Sequence, residues 1–241
     1  ARSVQESMLP REVAIPGADF CIHYYPVSEV GGDIYDITRI DDSWTRIFIC
    51  DATGHGIQAA LTTMVIKSEY DAVKHQFPDP SEALAALNRS ICTRYKNLQI
   101  VFTCAVIDIM SSAGKLVFSC AGHVPQYLIR NDSVVSLEKT GRIIGLIESS
   151  VYTKVEHAIE PGDRLLIMTD GLFEQFNDNK VPYGEKRMIE AIGRNRKLPV
   201  EGIIKALFDD ISLFIGPGKT LNSDDDTTVI GVSIADPVSR P

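Results

Sequence analysis

The feature that most restricts the fold is an ordering of blocks. Short β-like runs come first, then two helical stretches, then more β-like runs, then two further helical stretches and a last strand. The runs at 20–25, 34–40 and 46–50 are rich in β-branched and aromatic residues and are separated by Gly and Asp, as strands and their turns are. The period then changes: Ile57, Leu61, Met64, Val65 and Val73 fall near helical spacing, which predicts an amphipathic helix over 57–76. A second helix opens at Asp79-Pro80-Ser81-Glu82, with Asp as N-cap, Pro at the first helical position and Glu82 reaching back in a capping box. Its apolar stripe is Leu84, Leu87 and Ile91.

Strands resume at 101–109, 115–120, 127–129, 155–159 and 164–168, with a turn at 111–114. The run 164–168 is almost wholly apolar, as a buried strand is. Helices over 184–194 and 199–214, the latter carrying Ile203, Leu207, Ile211 and Phe214, precede a final strand at 228–234. Helix pairs set between blocks of strands, with hairpin-length turns, predict an α+β fold with mainly antiparallel sheets. The missing βαβαβ alternation counts against a doubly wound nucleotide-binding sheet.

Net charge is −8, from 24 basic and 32 acidic residues. That disfavours a nucleic-acid partner and leaves carboxylates that divalent cations could use. The five cysteines (Cys21, Cys50, Cys92, Cys104, Cys120) are odd in number and form no C-x-x-C pair. Most sit in apolar, strand-like runs, the pattern of free core thiols in a reducing compartment, so a cytoplasmic location is expected. No apolar stretch reaches the roughly 18 residues of a membrane span, and the N-terminus has no signal-peptide apolar region. Residues 1–16, with Leu9-Pro10 and Ile15-Pro16, read as a linker or the end of a connecting helix. One domain is expected over 17–236, followed by a short tail at 237–241.

Aspartates stand at the boundaries of several strand-like runs. Asp33 lies in Val30-Gly31-Gly32-Asp33-Ile34-Tyr35-Asp36, Asp51 follows Ile47-Phe48-Ile49-Cys50, Asp170 follows Leu165-Leu166-Ile167-Met168-Thr169, and Asp224, Asp225 and Asp226 precede the last strand. One such Asp means little, because Asp is favoured in turns and caps. Four segments that each deliver a carboxylate at a strand end are another matter. Gathered at one mouth, these groups would repel one another unless cations sat between them. Oxygen-only ligands suit Mg²⁺ or Mn²⁺. Zinc would want a His/Cys cluster, and His23, His55, His75, His123 and His157 show no such spacing.

The segments Gly31-Gly32-Asp33-Ile34-Tyr35-Asp36, Asp51-Ala52-Thr53-Gly54-His55-Gly56, Ala121-Gly122-His123 followed by Pro125, Thr169-Asp170-Gly171 and Asp225-Asp226-Thr227-Thr228 follow one another in a telling order. That order and spacing resemble the PPM/PP2C-type serine/threonine phosphatases, and more narrowly their bacterial SpoIIE/RsbU branch. The resemblance runs from Met8 to Ile234. Two departures are visible: Ala52-Thr53 stands where the branch has Val-Ser, and Ile144 replaces a usual Leu in Gly141-Arg142-Ile143-Ile144-Gly145-Leu146.

The resemblance implies a four-layer α-β-β-α sandwich of two mainly antiparallel sheets flanked by helices, with two Mn²⁺ or Mg²⁺ ions at one end. Carried over, Asp33 holds one ion, Asp51 bridges both, Asp170 and Asp225 hold the other, and the Ala52 carbonyl contributes. Asp36 and Asp226 are candidates for water-mediated roles. The implied reaction is hydrolysis of phosphoserine or phosphothreonine on a partner protein by a hydroxide bridging the two ions. Family relatives act on an anti-sigma-factor antagonist in a partner-switching pathway, usually from behind a sensor or receiver module. Dimerisation through residues 2–10 could then regulate the domain.

His55, between Gly54 and Gly56, reads as a general acid for the leaving oxygen, as a group that orients a metal-bound water, or as a loop histidine whose glycines serve the turn. His123 reads as structural or as part of the site. Gly171-Leu172-Phe173-Glu174 turns the chain directly after Asp170. Residues 176–184 are polar and turn-rich, and are expected to form a flap that helps select the partner. The rival readings are a pseudophosphatase that only docks a partner, which would be expected to lack one of the carboxylates, and a carboxylate nuclease, which the net charge disfavours.

Overall fold

Ten strands pair into two antiparallel sheets of five among the residues that the computed structural model describes: residue 5 and residues 7–10, 17–54, 56–218 and 225–235. In the first sheet the order is β1 (Ala18–Tyr25), β10 (Thr227–Ile234), β9 (Arg164–Met168), β6 (Gln126–Ile129) and β7 (Val134–Leu137). In the second it is β2 (Asp33–Arg39), β3 (Trp44–Ala52), β4 (Phe102–Met110), β5 (Lys115–Ala121) and β8 (Val155–Ala158).

Alternation of side chains along each strand sorts residues onto two faces. Tyr35, Ile37, Ile47, Ile49 and Ile107 of the second sheet face Leu128, Leu165, Ile167, Ile230 and Val232 of the first, and all ten are buried in one core. Burying each such aliphatic side chain contributes roughly 1.5–3 kcal/mol. The outer faces are covered too. On the second sheet lie α1 (Ile57–Val73) and α2 (Pro80–Arg94), with Phe48 of β3 stacked on Tyr70 of α1 at 3.9 Å between ring centroids. On the first sheet α3 (Gly184–Asn195) and α4 (Val200–Ile215) bury Met188, Ile192, Ile203, Leu207 and Ile211 against Leu166, Met168 and Val229. Sheets covered on both sides explain runs such as Arg164–Met168, in which all five residues are buried. The expected α+β sandwich is the architecture found.

The differences from the sequence reading are local. The first helix ends at Val73, not at 76, because Arg46 gathers the carbonyls beyond it. Its Nη1 donates to Lys74 O and Phe77 O at 2.8 Å each, and Nη2 donates to Pro78 O at 3.1 Å. The remaining N–H groups grip Asp108, Nε to Oδ1 and Nη2 to Oδ2, at 2.7 Å each. All five guanidinium donors are thus satisfied beneath the turn. Asp79 caps α2 as expected, but its carboxylate takes the Ser81 N–H at 2.8 Å and the Ser81 hydroxyl at 2.7 Å, so Ser81 completes the cap in place of Glu82. Strand β7 is an addition, a short edge strand of mostly half-buried residues after the Asn131-Asp132-Ser133 turn, and too short to print a period on the sequence. The five cysteines are free thiols; Cys50, Cys104 and Cys120 are buried, Cys21 and Cys92 partly so. Among the described residues, no helix is long and apolar enough to cross a membrane. The expected connecting helix falls largely outside the described residues, as does the tail.

Candidate metal centre

Strand register brings the first two aspartates together. Asp33 opens β2 and pairs across the ladder with Asp51 near the end of β3, both on the inner face. The facing sheet supplies two hydroxyls: Thr169, just beyond β9, and Thr228 of β10 each donate to Oδ2 of Asp33 at 2.7 Å. Thr169 Oγ1 also accepts the Thr228 N–H at 3.0 Å, which ties the two threonines to each other. Asp33 is therefore clamped across the gap between the sheets, 1% exposed.

Asp170 begins a short 3₁₀ turn, Asp170–Leu172, and its carbonyl accepts the N–H groups of Phe173 at 2.9 Å and Glu174 at 3.0 Å. That turn folds Glu174 back beside Asp170. Asp225 leads into β10 and accepts the Asp226 N–H at 2.8 Å.

The electrostatics report the crowding. Burial first, then the charges of Asp170, Asp225, Asp226 and Glu174, push the Asp51 carboxyl up to about 8. Burial and the neighbouring Asp51 hold Asp33 well above the usual carboxylate range, against the pull of its two threonine donors. Burial and Glu174 raise Asp170. These shifts are what like charges sharing a low-dielectric pocket produce, and a cation reverses them. Among the described residues, no three His, Cys, Asp or Glu side chains stand ready-made around one ion position. The fit to hard divalent cations rests on an all-oxygen donor set and on the convergence of charge.

Asp226 acts on the backbone. Its Oδ1 accepts the Val27 N–H at 2.7 Å and its Oδ2 accepts the Gly32 N–H at 2.5 Å, so both oxygens hold the loop that delivers Asp33. Asp36 lies on the opposite face of β2 from Asp33 and pairs with Lys74 at 3.0 Å and Lys67 at 3.3 Å on α1. Burial alone would raise its carboxyl, but the Thr38 hydroxyl and the two lysines outweigh burial and hold it below the ordinary value. It does not join the cluster.

Gly54 and Gly56 turn the chain into α1, and His55 between them lies outside the described residues, as does Asp224. The Ala52 carbonyl faces Gly32, where a Cβ would stand 2.7 Å from it. His123 is fully buried: Nε2–H donates to Met168 O at 3.2 Å, so Nδ1 accepts from the Thr103 hydroxyl at 2.7 Å. Burial pushes its imidazole down to about 4, which keeps it neutral. Its work is to hold the end of β9, from which Asp170 projects. The turn after Phe176 is closed by Asn177, whose Oδ1 accepts the N–H groups of Asn179 and Val181 at 3.0 Å each.

Gly171 is the tightest point of the centre. A Cβ there would lie 2.0 Å from the carbonyl oxygen of Asp226, backbone that cannot rotate away. Gly171→Ala is expected to cost about 1–3 kcal/mol, read as a lowered denaturation midpoint. Gly193→Ala in α3, where nothing lies within 4 Å, is expected to be neutral or stabilising.

Sequence reasoning passed over Glu174, Thr169 and Thr228 as members of the site. Glu174 had a signal, since it follows Asp170 by four residues, one turn of helix. The threonines stand in the segments Thr169-Asp170-Gly171 and Asp225-Asp226-Thr227-Thr228, but nothing local says that their hydroxyls meet at Asp33.

Solved structures with this fold include the SiaA-PP2C domain of Pseudomonas aeruginosa, with a TM-score of 0.85 at 20% identity over 96% of this chain and 93% of that one. Another is the phosphatase domain and regulatory fragment of SpoIIE from Bacillus subtilis, with a TM-score of 0.71 at 21% identity over 90% of this chain and 63% of that one. The fold is that of PP2C-type phosphatase domains. Residues 41–235 match the family described as Stage II sporulation protein E (SpoIIE), and the chain belongs to it. Among curated relatives, phosphoserine phosphatase RsbU of Bacillus subtilis (strain 168) is 26% identical over 185 residues, 74% of this chain and 54% of that protein. Phosphoserine phosphatase RsbP of the same organism is 27% identical over 179 residues, 72% of this chain and 44% of that protein. The chain thus spans about half the length of the curated relatives it matches.

Proposed function

We propose that this domain is a cation-dependent phosphatase for phosphoserine or phosphothreonine on a partner protein. The observation that carries the reading is the pairing of Asp33 with Asp51 in one sheet, with Asp170 of the other close enough that burial and then its charge raise the Asp51 carboxyl. Asp33, Asp51, the Ala52 carbonyl, Asp170 and Asp225 are the residues that would hold two Mn²⁺ or Mg²⁺ ions. Bound there, such ions would supply neutralisation of the phosphoryl oxygens and acidification of water, which phosphate monoester hydrolysis near neutral pH requires.

The chain's own groups orient this set. Thr169 and Thr228 aim Asp33, Asp226 holds the loop before it, and His123 anchors the strand that ends at Asp170. His55 is assigned the role of acid for the leaving oxygen. A thiol nucleophile is disfavoured: burial pushes Cys120 up to about 11, raises Cys50 and Cys104 well above their ordinary value, and raises Cys21 and Cys92 too, which favours the thiol over the thiolate.

The proposed substrate is an anti-sigma-factor antagonist in a partner-switching pathway. Relatives named phosphoserine phosphatase support this, as does the solved structure joining RsbU and RsbW domains of Rv1364c from Mycobacterium tuberculosis. The turn at 176–184, just past Asp170, is proposed to contact that partner. An upstream sensor or receiver module and a homodimer belong to the same reading.

The test is hydrolysis of para-nitrophenyl phosphate and a phosphoserine peptide with Mn²⁺, with and without chelator. Turnover should stop on chelation and return with added Mn²⁺; turnover indifferent to chelator refutes the reading. Cation binding should also raise stability by about 2.7 kcal/mol when Mn²⁺ exceeds its Kd 100-fold, visible as a higher melting temperature.

A further inference from the structure

The two glycines before Asp33 are each held by a side chain from far away in sequence. Gly32 gives its N–H to Asp226, 194 residues on. Gly31 is held by Gln5. The Gln5 Nε2 donates to Gly31 O at 2.7 Å, and the Gly31 N–H donates to Gln5 Oε1 at 3.0 Å. One carboxamide thereby meets both polar groups of a single residue, as an opposing strand does in an antiparallel ladder. Nε2 also donates to the Thr63 hydroxyl of α1 at 3.1 Å, and that hydroxyl donates to Ala60 O at 2.8 Å. Gln5 is 3% exposed and Gly31 is buried, so no solvent replaces these bonds.

Resting on the reading of Asp33 as a cation ligand, we propose that Gln5 is a positioning residue that sets the cation affinity of the centre. The physical reason is the freedom of Gly31-Gly32. Glycine has the largest backbone freedom of any residue, and a pair of them just before a ligand would let its carboxylate wander. Fixing both peptides in advance removes that ordering cost from cation binding. Removal of the carboxamide leaves the Gly31 N–H and C=O unpaired in a buried site, and the loop must move to satisfy them.

The experiment is calorimetric titration of Mn²⁺ into the unaltered chain, Gln5→Met and Leu9→Ala. Gln5→Met keeps the volume and removes the hydrogen bonds. Leu9 is buried in the main core, so Leu9→Ala costs stability in the same N-terminal region while leaving the Gln5 carboxamide that bonds Gly31 in place. Expected are Mn²⁺ binding weaker by roughly 10–100-fold in Gln5→Met and unchanged in Leu9→Ala. Equal affinity in Gln5→Met and the unaltered chain overturns the proposal, as does an equal loss in Leu9→Ala. No Mn²⁺ binding by the unaltered chain instead overturns the cation reading itself. Should Gln5→Met fail to fold, Thr63→Val takes its place, with several-fold weaker binding expected and unchanged binding contradicting the proposal.

Discussion

Asp51→Asn is expected to lower phosphate ester hydrolysis by more than about 100-fold, since loss even of a group that only orients a ligand costs 10–100-fold. Asp51 is the carboxyl most crowded by others, facing Asp33 across the β2–β3 ladder and the charges of Asp170, Asp225, Asp226 and Glu174. An amide of the same shape removes the charge that draws cations between these groups. The same substitution has an opposite expected effect on the metal-free fold. A carboxyl pushed up to about 8 loses stability on ionising, and that loss grows as pH rises from the ordinary carboxylate range through about 8. Metal-free Asp51→Asn should therefore melt higher than the unaltered chain, with the gap wider at pH 8 than at pH 5. Rates measured across a Mn²⁺ titration and melting curves at the two pH values check both halves. Full turnover in Asp51→Asn would sink the assignment.

Asp108→Ala is the expected largest loss of stability, about 3–5 kcal/mol. It leaves the Arg46 guanidinium, with no exposed surface, facing a void where two charge-assisted hydrogen bonds had been. Against total stabilities of roughly 5–15 kcal/mol, that leaves little margin. Replacing the whole pair with apolar residues often restores stability elsewhere. Here it should not, because Arg46 also serves the carbonyls of Lys74, Phe77 and Pro78, which an Arg46→Met, Asp108→Leu double variant would orphan. Urea unfolding of the single and double variants is the measurement. A loss under about 1 kcal/mol in Asp108→Ala would mean the pair is not the buried anchor described.

The strands were legible because alternation and turn chemistry act within a few residues. Arg164–Met168 reads as a buried strand from five letters, and Asp33, Asp51 and Asp170 announce themselves at the boundaries of such runs, Asp33 opening one and the other two closing theirs. Strand β7 was not legible, since four mostly half-buried residues at a sheet edge carry too little period. Asp36 and Asp226 look alike in sequence, each an acid beside a ligand candidate. Strand pleat turns Asp36 toward Lys67 and Lys74, while the packing of β10 against the Gly31-Gly32 loop engages both oxygens of Asp226 with backbone amides.

By itself, then, the amino-acid order determined which segments extend, which coil, and where carboxylates end them, because those outcomes depend on neighbours a few residues apart. Which side chains share a pocket was decided only when two sheets packed face to face. The register of that packing lets Thr169 and Thr228 reach Asp33 and brings Asp226 to Gly32, while Gln5, outside both sheets, reaches Gly31 beside Thr63 of α1. No local rule carries such contacts, since the energy that selects them is the burial of the common core and belongs to no single segment.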